Sequence, residues 1–126
     1  MQYYNEEKMH SLRLTIEKEV LNWLNVTTEK MFGCPCYKNR DKLFAFLVTD
    51  GVVLTNASEQ DKIKLSQEFK IRPFKAGKRT MNRWPQISVD KTTDVVRIIP
   101  FIKKVMMSQI RHYKKEARSI TVDLIV

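Results

Sequence analysis

The cysteine pair Cys34 and Cys36 has the spacing in this sequence that comes nearest to a metal-binding motif. On a strand, residues two apart share a face, so both thiols would point to the same side. A structural zinc site takes four ligands, usually from two such pairs, and the sequence supplies no second pair. We therefore expect both cysteines to be small buried strand residues, and we expect no metal and no cofactor.

The other titratable side chains form no recognisable catalytic set. The sequence has two histidines, His10 and His112, and each lies alone in a predicted helix without a nucleophile in a known motif. The glycines Gly33 and Gly77 do not form a phosphate-binding fingerprint. We expect Gly33 to allow a bulge or close packing at the start of a strand, and Gly77 to allow a turn. The sequence predicts a protein that is not an enzyme.

The segment IRPFKAGKRTMNRW (71–84) carries five positive charges and no negative charge. Its pattern predicts a short strand around 71–74, a turn at Gly77 and a second strand around 84–89. Phosphates would be neutralised by cations of this kind, and no helix-turn-helix or RNA-binding signature accompanies them. The segment therefore indicates either non-specific anion binding or a solvated connection between two strands. The candidate anion-binding residues are Lys70, Arg72, Lys75, Lys78, Arg79 and Arg83.

The charge of this 126-residue chain is unevenly placed: residues 1–69 have a net charge of −1 and residues 70–126 a net charge of +10. Such asymmetry favours an anionic partner, which could be nucleic acid, an acidic protein or a membrane surface; the alternative is a soluble protein with one strongly basic face. No apolar run is long enough to cross a bilayer, and the N-terminus lacks the pattern of a secretory signal. We expect a cytoplasmic protein without a membrane partner.

The elements that position these residues begin with a helix over 5–24, whose apolar residues recur at three- and four-residue steps. Three strands follow over 30–38, 42–50 and 52–56, joined by turns at 39–41 and at Asp50-Gly51. The middle strand is apolar on both faces, which predicts a central strand covered on both sides. A short helix over 58–69, capped by Ser58, then precedes the basic segment.

The last part of the chain predicts a helix capped by Thr92 or Thr93. Because Pro100 cannot donate a hydrogen bond, we expect the main helix to run from about 99 to 116. Apolar residues alternate in the tail over 120–126, which is a strand pattern. The predicted order is α-β(3)-α-β(2)-α: a single α+β domain over 1–119, built as a two-layer sandwich with an antiparallel sheet and helices on one side.

The chain resembles the TfoX (Sxy) N-terminal domain family in two stretches. The first is Met31-Phe32-Gly33 at the start of a strand, and the second is Met81 to Trp84, which Pro85 follows. The similarity spans about residues 8 to 112 and extends to the YjbR-like and secretion-chaperone-like architecture. Cys34 stands where that family often has a second glycine. Thr55 stands where a lysine often closes the third strand.

The resemblance implies a small regulatory or binding domain. Many members of the secretion-chaperone-like architecture are dimers, so a protein partner or a homo-oligomer is expected. The alternating tail over 120–126 could pair with a sheet edge. The expected function is therefore a non-catalytic regulatory interaction domain that acts through protein–protein contacts. The alternative is direct, non-specific nucleic-acid binding through the basic 70–83 segment and the C-terminal helix.

Overall fold

Helices pack on one face of an antiparallel sheet, which confirms the predicted α+β two-layer class. The computed structural model describes the backbone of residues 3–125 and the side chains of residues 3–111. The strands lie side by side in the order β1-β2-β3-β4-β6-β5. In chain order the elements are α1 (Glu6–Val20), β1 (Val26–Met31), β2 (Cys34–Asn39), β3 (Lys42–Val48), β4 (Gly51–Leu54), α2 (Glu59–Ser66), β5 (Ile71–Ala76), β6 (Arg79–Ser88) and α3 (Thr92–Ile125).

Helix α1 is shorter than predicted, because it ends at Val20 and not near residue 24. Asn5 caps its start: the side chain accepts a hydrogen bond from the backbone N–H of Lys8. The predicted apolar stripe is buried from Met9 to Val20. Trp23 lies beyond the helix, in the turn that leads to β1, and its ring packs against Phe44.

The sheet has one strand more than predicted before α2, because the stretch expected as a single strand over 30–38 contains a turn. Phe32 and Gly33 both have positive φ, 54° and 78°. Two consecutive residues with positive φ form the tight turn of a hairpin, and they divide the segment into β1 and β2. The expectation that Gly33 sits at a bulge or close contact was therefore wrong, and a Cβ there would meet nothing within 4 Å.

The next two hairpins lie close to their predicted positions. Arg40 and Asp41 form the turn between β2 and β3, both with positive φ. The following turn is shifted by one residue: it consists of Thr49 and Asp50, while Gly51 pairs with Val48 as the first residue of β4. A Cβ on Gly51 would lie 3.1 Å from Cγ2 of Val48 and 3.3 Å from a backbone oxygen. This glycine serves close strand packing, and Asp50 alone takes the left-handed conformation (φ 60°).

Helix α3 departs most from its prediction. It begins at Thr92 and continues through Pro100 without a break. The proline removes only the hydrogen bond to the carbonyl of Val96, and Val96 is 56% exposed, so water can satisfy that carbonyl. The backbone stays helical through Ile125, so the strand predicted for the tail was wrong, although the side chains of the tail lie outside the described ones. No helix among the described residues is long and apolar enough to span a membrane.

Hydrogen bonds from β2 show which face of the sheet the helices cover. The Tyr37 hydroxyl donates to Glu17 of α1 at 2.8 Å, and the Asn39 amide contacts the Met106 sulfur of α3 at 3.6 Å. Odd-numbered residues of β2 therefore point toward the helices. Cys34 and Cys36 alternate with them and point to the opposite face, which we call the open face. Both cysteines are nevertheless buried, as the sequence predicts.

Candidate ligand-binding groove on the open face

The open face is covered because the sheet curls over it. Strands β3 and β5 are three strand spacings apart, or about 14 Å in a flat sheet. The ring centroids of Phe46 on β3 and Phe74 on β5 are nevertheless only 5.0 Å apart. The pairing of β5 with β6 also breaks its register between Pro73 and Phe74. Since such irregularities bend and twist strands, this break lets the outer half of the β5–β6 hairpin fold over the open face.

An aromatic cluster forms the floor beneath this hairpin. Phe46 and Phe74 meet edge to face at 85°, and Trp84 packs against both rings at 5.8 Å and 6.4 Å. Tyr3 adds a fourth ring 5.9 Å from Phe74. Edge-to-face and offset contacts of this kind stabilise aromatic pairs by about 1 kcal/mol beyond their area burial. The cluster therefore holds the hairpin in its folded-over position.

Between the two edge hairpins of the sheet lies a groove of about 470 Å³, which we call the open-face groove. Its volume is within the range of small-ligand and side-chain pockets. The β1–β2 hairpin forms one wall and the β5–β6 hairpin the other, although a flat sheet would hold β1 and β5 about 24 Å apart. The lining residues are Tyr3, Met31, Phe32, Cys34, Phe46, Phe74, Ala76, Gly77, Arg79, Met81 and Trp84.

Phe32 stands at the mouth of this groove in an unusual state. Its side chain is 79% exposed, and its backbone is in the left-handed conformation, which costs a bulky residue about 1 kcal/mol. Asparagine or glycine would fit this turn position without strain. A strained, exposed aromatic side chain beside a pocket is a feature that points to function more than to stability.

The N-terminal segment ties the opposite wall in place. The backbone N–H of Gly77 donates to the Tyr3 hydroxyl at 3.0 Å, and the backbone N–H of Thr49 donates to the Tyr3 carbonyl at 2.9 Å. Tyr3 thus connects the tip of the β5–β6 hairpin to the β3–β4 turn. Gly77 has positive φ at the first position of its two-residue turn, as the sequence predicts for this glycine.

The six predicted anion-binding residues are all exposed, but the strand register places them on different sides. Arg79 pairs with Ala76 and lines the open-face groove, and Arg72 lies opposite Gln86 on the same face. Lys75 pairs with Thr80 and so points to the other side of the hairpin. The remaining three lie outside this alternation: Lys70 precedes β5, Lys78 is in the turn, and Arg83 is in the irregular stretch of β6.

The six cations are available to bind an anion, because the ion pairs among the described side chains do not include them. No such pair in the part of the chain up to residue 111 involves any of the six residues. The two aromatic residues near them are not free for stacking with bases, since Phe74 is buried and Trp84 is half-buried in the aromatic cluster. The geometry provides separate cationic positions, of which one belongs to the groove wall.

The two thiols have the properties of buried cysteines. Burial raises the pKa of the Cys34 thiol to about 11, and burial also raises the pKa of Cys36. A thiol with so high a pKa is almost fully protonated at neutral pH and is a poor nucleophile and metal ligand. Within the described residues, no three His, Cys, Asp or Glu side chains are grouped so that they could hold a metal ion.

His10 belongs to a charged cluster on α1. Its ring lies 2.8 Å from the Glu6 carboxylate, which also accepts two hydrogen bonds from Arg13 and one from the Tyr4 hydroxyl. These hydrogen bonds, that of Arg13 first, lower the pKa of Glu6 far below its ordinary value. The cluster joins the N-terminal segment to α1. The side chain of the second histidine, His112, lies outside the described ones.

Comparison with protein-family models, curated proteins and solved structures gave no match for this chain. The groove was not predicted from the sequence. The signal that could have indicated it is the cluster of methionine and aromatic residues at Met31-Phe32 and at Met81 to Trp84. Both stretches read equally well as strand residues that pack into a core.

Proposed function

We propose that this protein is a non-catalytic regulatory interaction domain, which holds an apolar segment of a partner protein in the open-face groove. The observation that carries the proposal is the apolar groove between two hairpins, with Phe32 exposed at its mouth. Met31, Met81 and Cys34 give the walls polarisable, adaptable sulfur groups. Surfaces with such side chains accommodate apolar groups of different shapes.

The location of the resemblance to the TfoX N-terminal domain supports this proposal. Its two most specific stretches, Met31–Gly33 and Met81–Trp84, come from opposite halves of the chain and contribute Met31, Phe32, Met81 and Trp84 to the same groove. A regulatory domain of that type, active in the cytoplasm, would recognise its partner with this groove. An apolar anchor in a pocket, surrounded by polar contacts, is how many protein interfaces concentrate their binding energy.

A displayed library of random dodecapeptides, selected on the 126-residue chain, tests the proposal. Ala76→Trp fills the groove from an exposed position, and Thr80→Trp adds the same side chain on the other side of the same hairpin. We expect selected peptides that bind the wild type and Thr80→Trp but lose at least about tenfold in affinity for Ala76→Trp. If the selection yields no peptide whose binding depends on the groove, the proposed function is refuted.

Direct non-specific nucleic-acid binding is a second candidate, favoured by the six exposed cations that form no described ion pair. Because the register divides them between faces, a duplex could contact about three at once. The slope of log affinity against log salt would then be about −2.7. Charge reversal at Lys75, Lys78 and Arg79 together removes cations from both sides of the hairpin and should weaken duplex binding on either face. Duplex binding with a slope near −5 would show that the cations act as one surface, and binding unchanged by the reversal would remove this candidate.

A further inference from the structure

We infer that the segment held by the open-face groove is acidic, with carboxylates next to a bulky apolar side chain. The inference rests on the proposed interaction function and specifies the chemistry of the partner. It follows from the positive charges around the groove and from the absence of acidic residues among those that line it. It also follows from the repulsion that these charges would cause if a second copy of the chain were the occupant.

Arg79 supplies the charge of the groove itself. It lies on the wall formed by β6, next to the apolar residues Ala76 and Met81, and it forms no ion pair with any described side chain. Lys78 precedes it in the exposed turn. A carboxylate that follows an apolar side chain into the groove would therefore meet a planar guanidinium, which can bind both carboxylate oxygens.

A second recess on the same face extends the cationic surface. It has a volume of about 530 Å³ and shares Tyr3 and Phe74 with the open-face groove. Arg72 lies in this recess, and Lys75 borders it at the edge, since its pairing turns its side chain toward the other side of the hairpin. None of the described residues that line the groove or this recess is acidic. A bound segment would meet cations on both sides of its apolar anchor.

These charges also argue against a second copy of the chain as the occupant. Two copies joined through this groove would bring Arg72, Lys78 and Arg79 of each close to those of the other, and like charges across an interface are repulsive. An acidic partner gains from the same arrangement, both in specificity and in association rate. The net charge of +10 on residues 70–126 has the same effect over a longer range.

Trp84 provides a local reporter for the test. The chain has two tryptophans, so Trp23→Phe leaves only Trp84, whose ring lines the groove. Three synthetic dodecapeptides serve as probes. The first has a central Leu-Phe flanked by glutamates and aspartates, the second has lysines in place of the acids, and the third has Ala-Ala in place of Leu-Phe. Binding of each is followed by Trp84 fluorescence.

At about 50 mM salt, the acidic Leu-Phe peptide should bind at least about tenfold more tightly than either of the other two. At about 500 mM salt, its advantage over the lysine peptide should fall to about threefold or less, because salt screens exposed charges. Arg72→Glu combined with Arg79→Glu should reverse the preference. The matched control is Lys8→Glu combined with Lys18→Glu, which makes the same change in net charge on α1. This variant should keep the preference for the acidic peptide.

Equal affinity for the acidic and lysine peptides would overturn the inference while leaving the groove as an interaction site. A dimer in sedimentation of the full chain that Ala76→Trp dissociates and Thr80→Trp preserves would also overturn it, since the occupant would then be a second copy. If none of the peptides binds and the library yields no peptide that depends on the groove, both the proposed function and this inference fail.

Discussion

Phe74 holds the β5–β6 hairpin over the open face, so its truncation tests the curled sheet. The side chain is 8% exposed and contacts the rings of Phe46, Trp84 and Tyr3. Truncation of a buried phenylalanine to alanine costs about 3–5 kcal/mol. Because Phe74 lies on an edge strand, where the hairpin can relax into the space, we expect Phe74→Ala to lower the free energy of unfolding by about 3 kcal/mol.

Urea unfolding followed by circular dichroism measures this loss. In thermal unfolding of a chain of this length, a loss of about 3 kcal/mol corresponds to a decrease in Tm of about 9–15 °C. Phe74→Leu keeps most of the apolar volume but loses the ring contacts, and it should cost about 1 kcal/mol. Phe32→Ala is the matched control: its aromatic side chain is mostly exposed, so the free energy of unfolding should change by less than about 0.5 kcal/mol. A loss below about 1 kcal/mol for Phe74→Ala would refute the role of this ring.

Two further predictions concern titratable groups. Since hydrogen bonds hold the pKa of Glu6 below its ordinary value, its contribution to stability is present above about pH 5 and is lost as the pH falls. Glu6→Gln should therefore cost up to about 1 kcal/mol in urea unfolding at neutral pH and less at about pH 3, and an equal cost at both pH values would contradict this. Because burial raises the pKa of Cys34 to about 11, a disulfide reagent should modify it at pH 8 at least roughly a hundredfold more slowly in the folded than in the urea-unfolded protein. Equal rates would contradict its burial.

Local patterns predicted most of the elements, because the interactions that form them are local. Ser58 caps α2 by accepting a hydrogen bond from the backbone N–H of Asp61, and the turn at Gly77 lies where its residue type indicates. The turn at Phe32-Gly33 was missed because phenylalanine is rarely found with positive φ. The continuous α3 was missed because the exposure of Val96, which makes Pro100 tolerable, is a property of the folded protein.

The groove could not be predicted, because it depends on contacts between distant parts of the chain. Its walls come from β1–β2 and from β5–β6. The register break beside the paired Pro73 and Pro85 lets one fold over the other, but these prolines alone do not specify how far it folds. The sequence does show the six cations and the apolar character of the strands. It does not show that Arg79 faces the groove while Lys75 faces away from it, because that difference follows from the pairing of each residue across the hairpin.

The curl of the sheet is tested most directly by nuclear Overhauser effects between the ring protons of Phe46 and Phe74 in the 126-residue chain. The two strands are separated by β4 and β6, so a flat sheet would hold their backbones about 14 Å apart. The structure places their centroids at 5.0 Å. We expect strong cross-peaks between the two rings and between Phe46 and Trp84. Their absence, in a spectrum with intact cross-peaks between β3 and β4, would contradict the open-face groove and the function proposed for it.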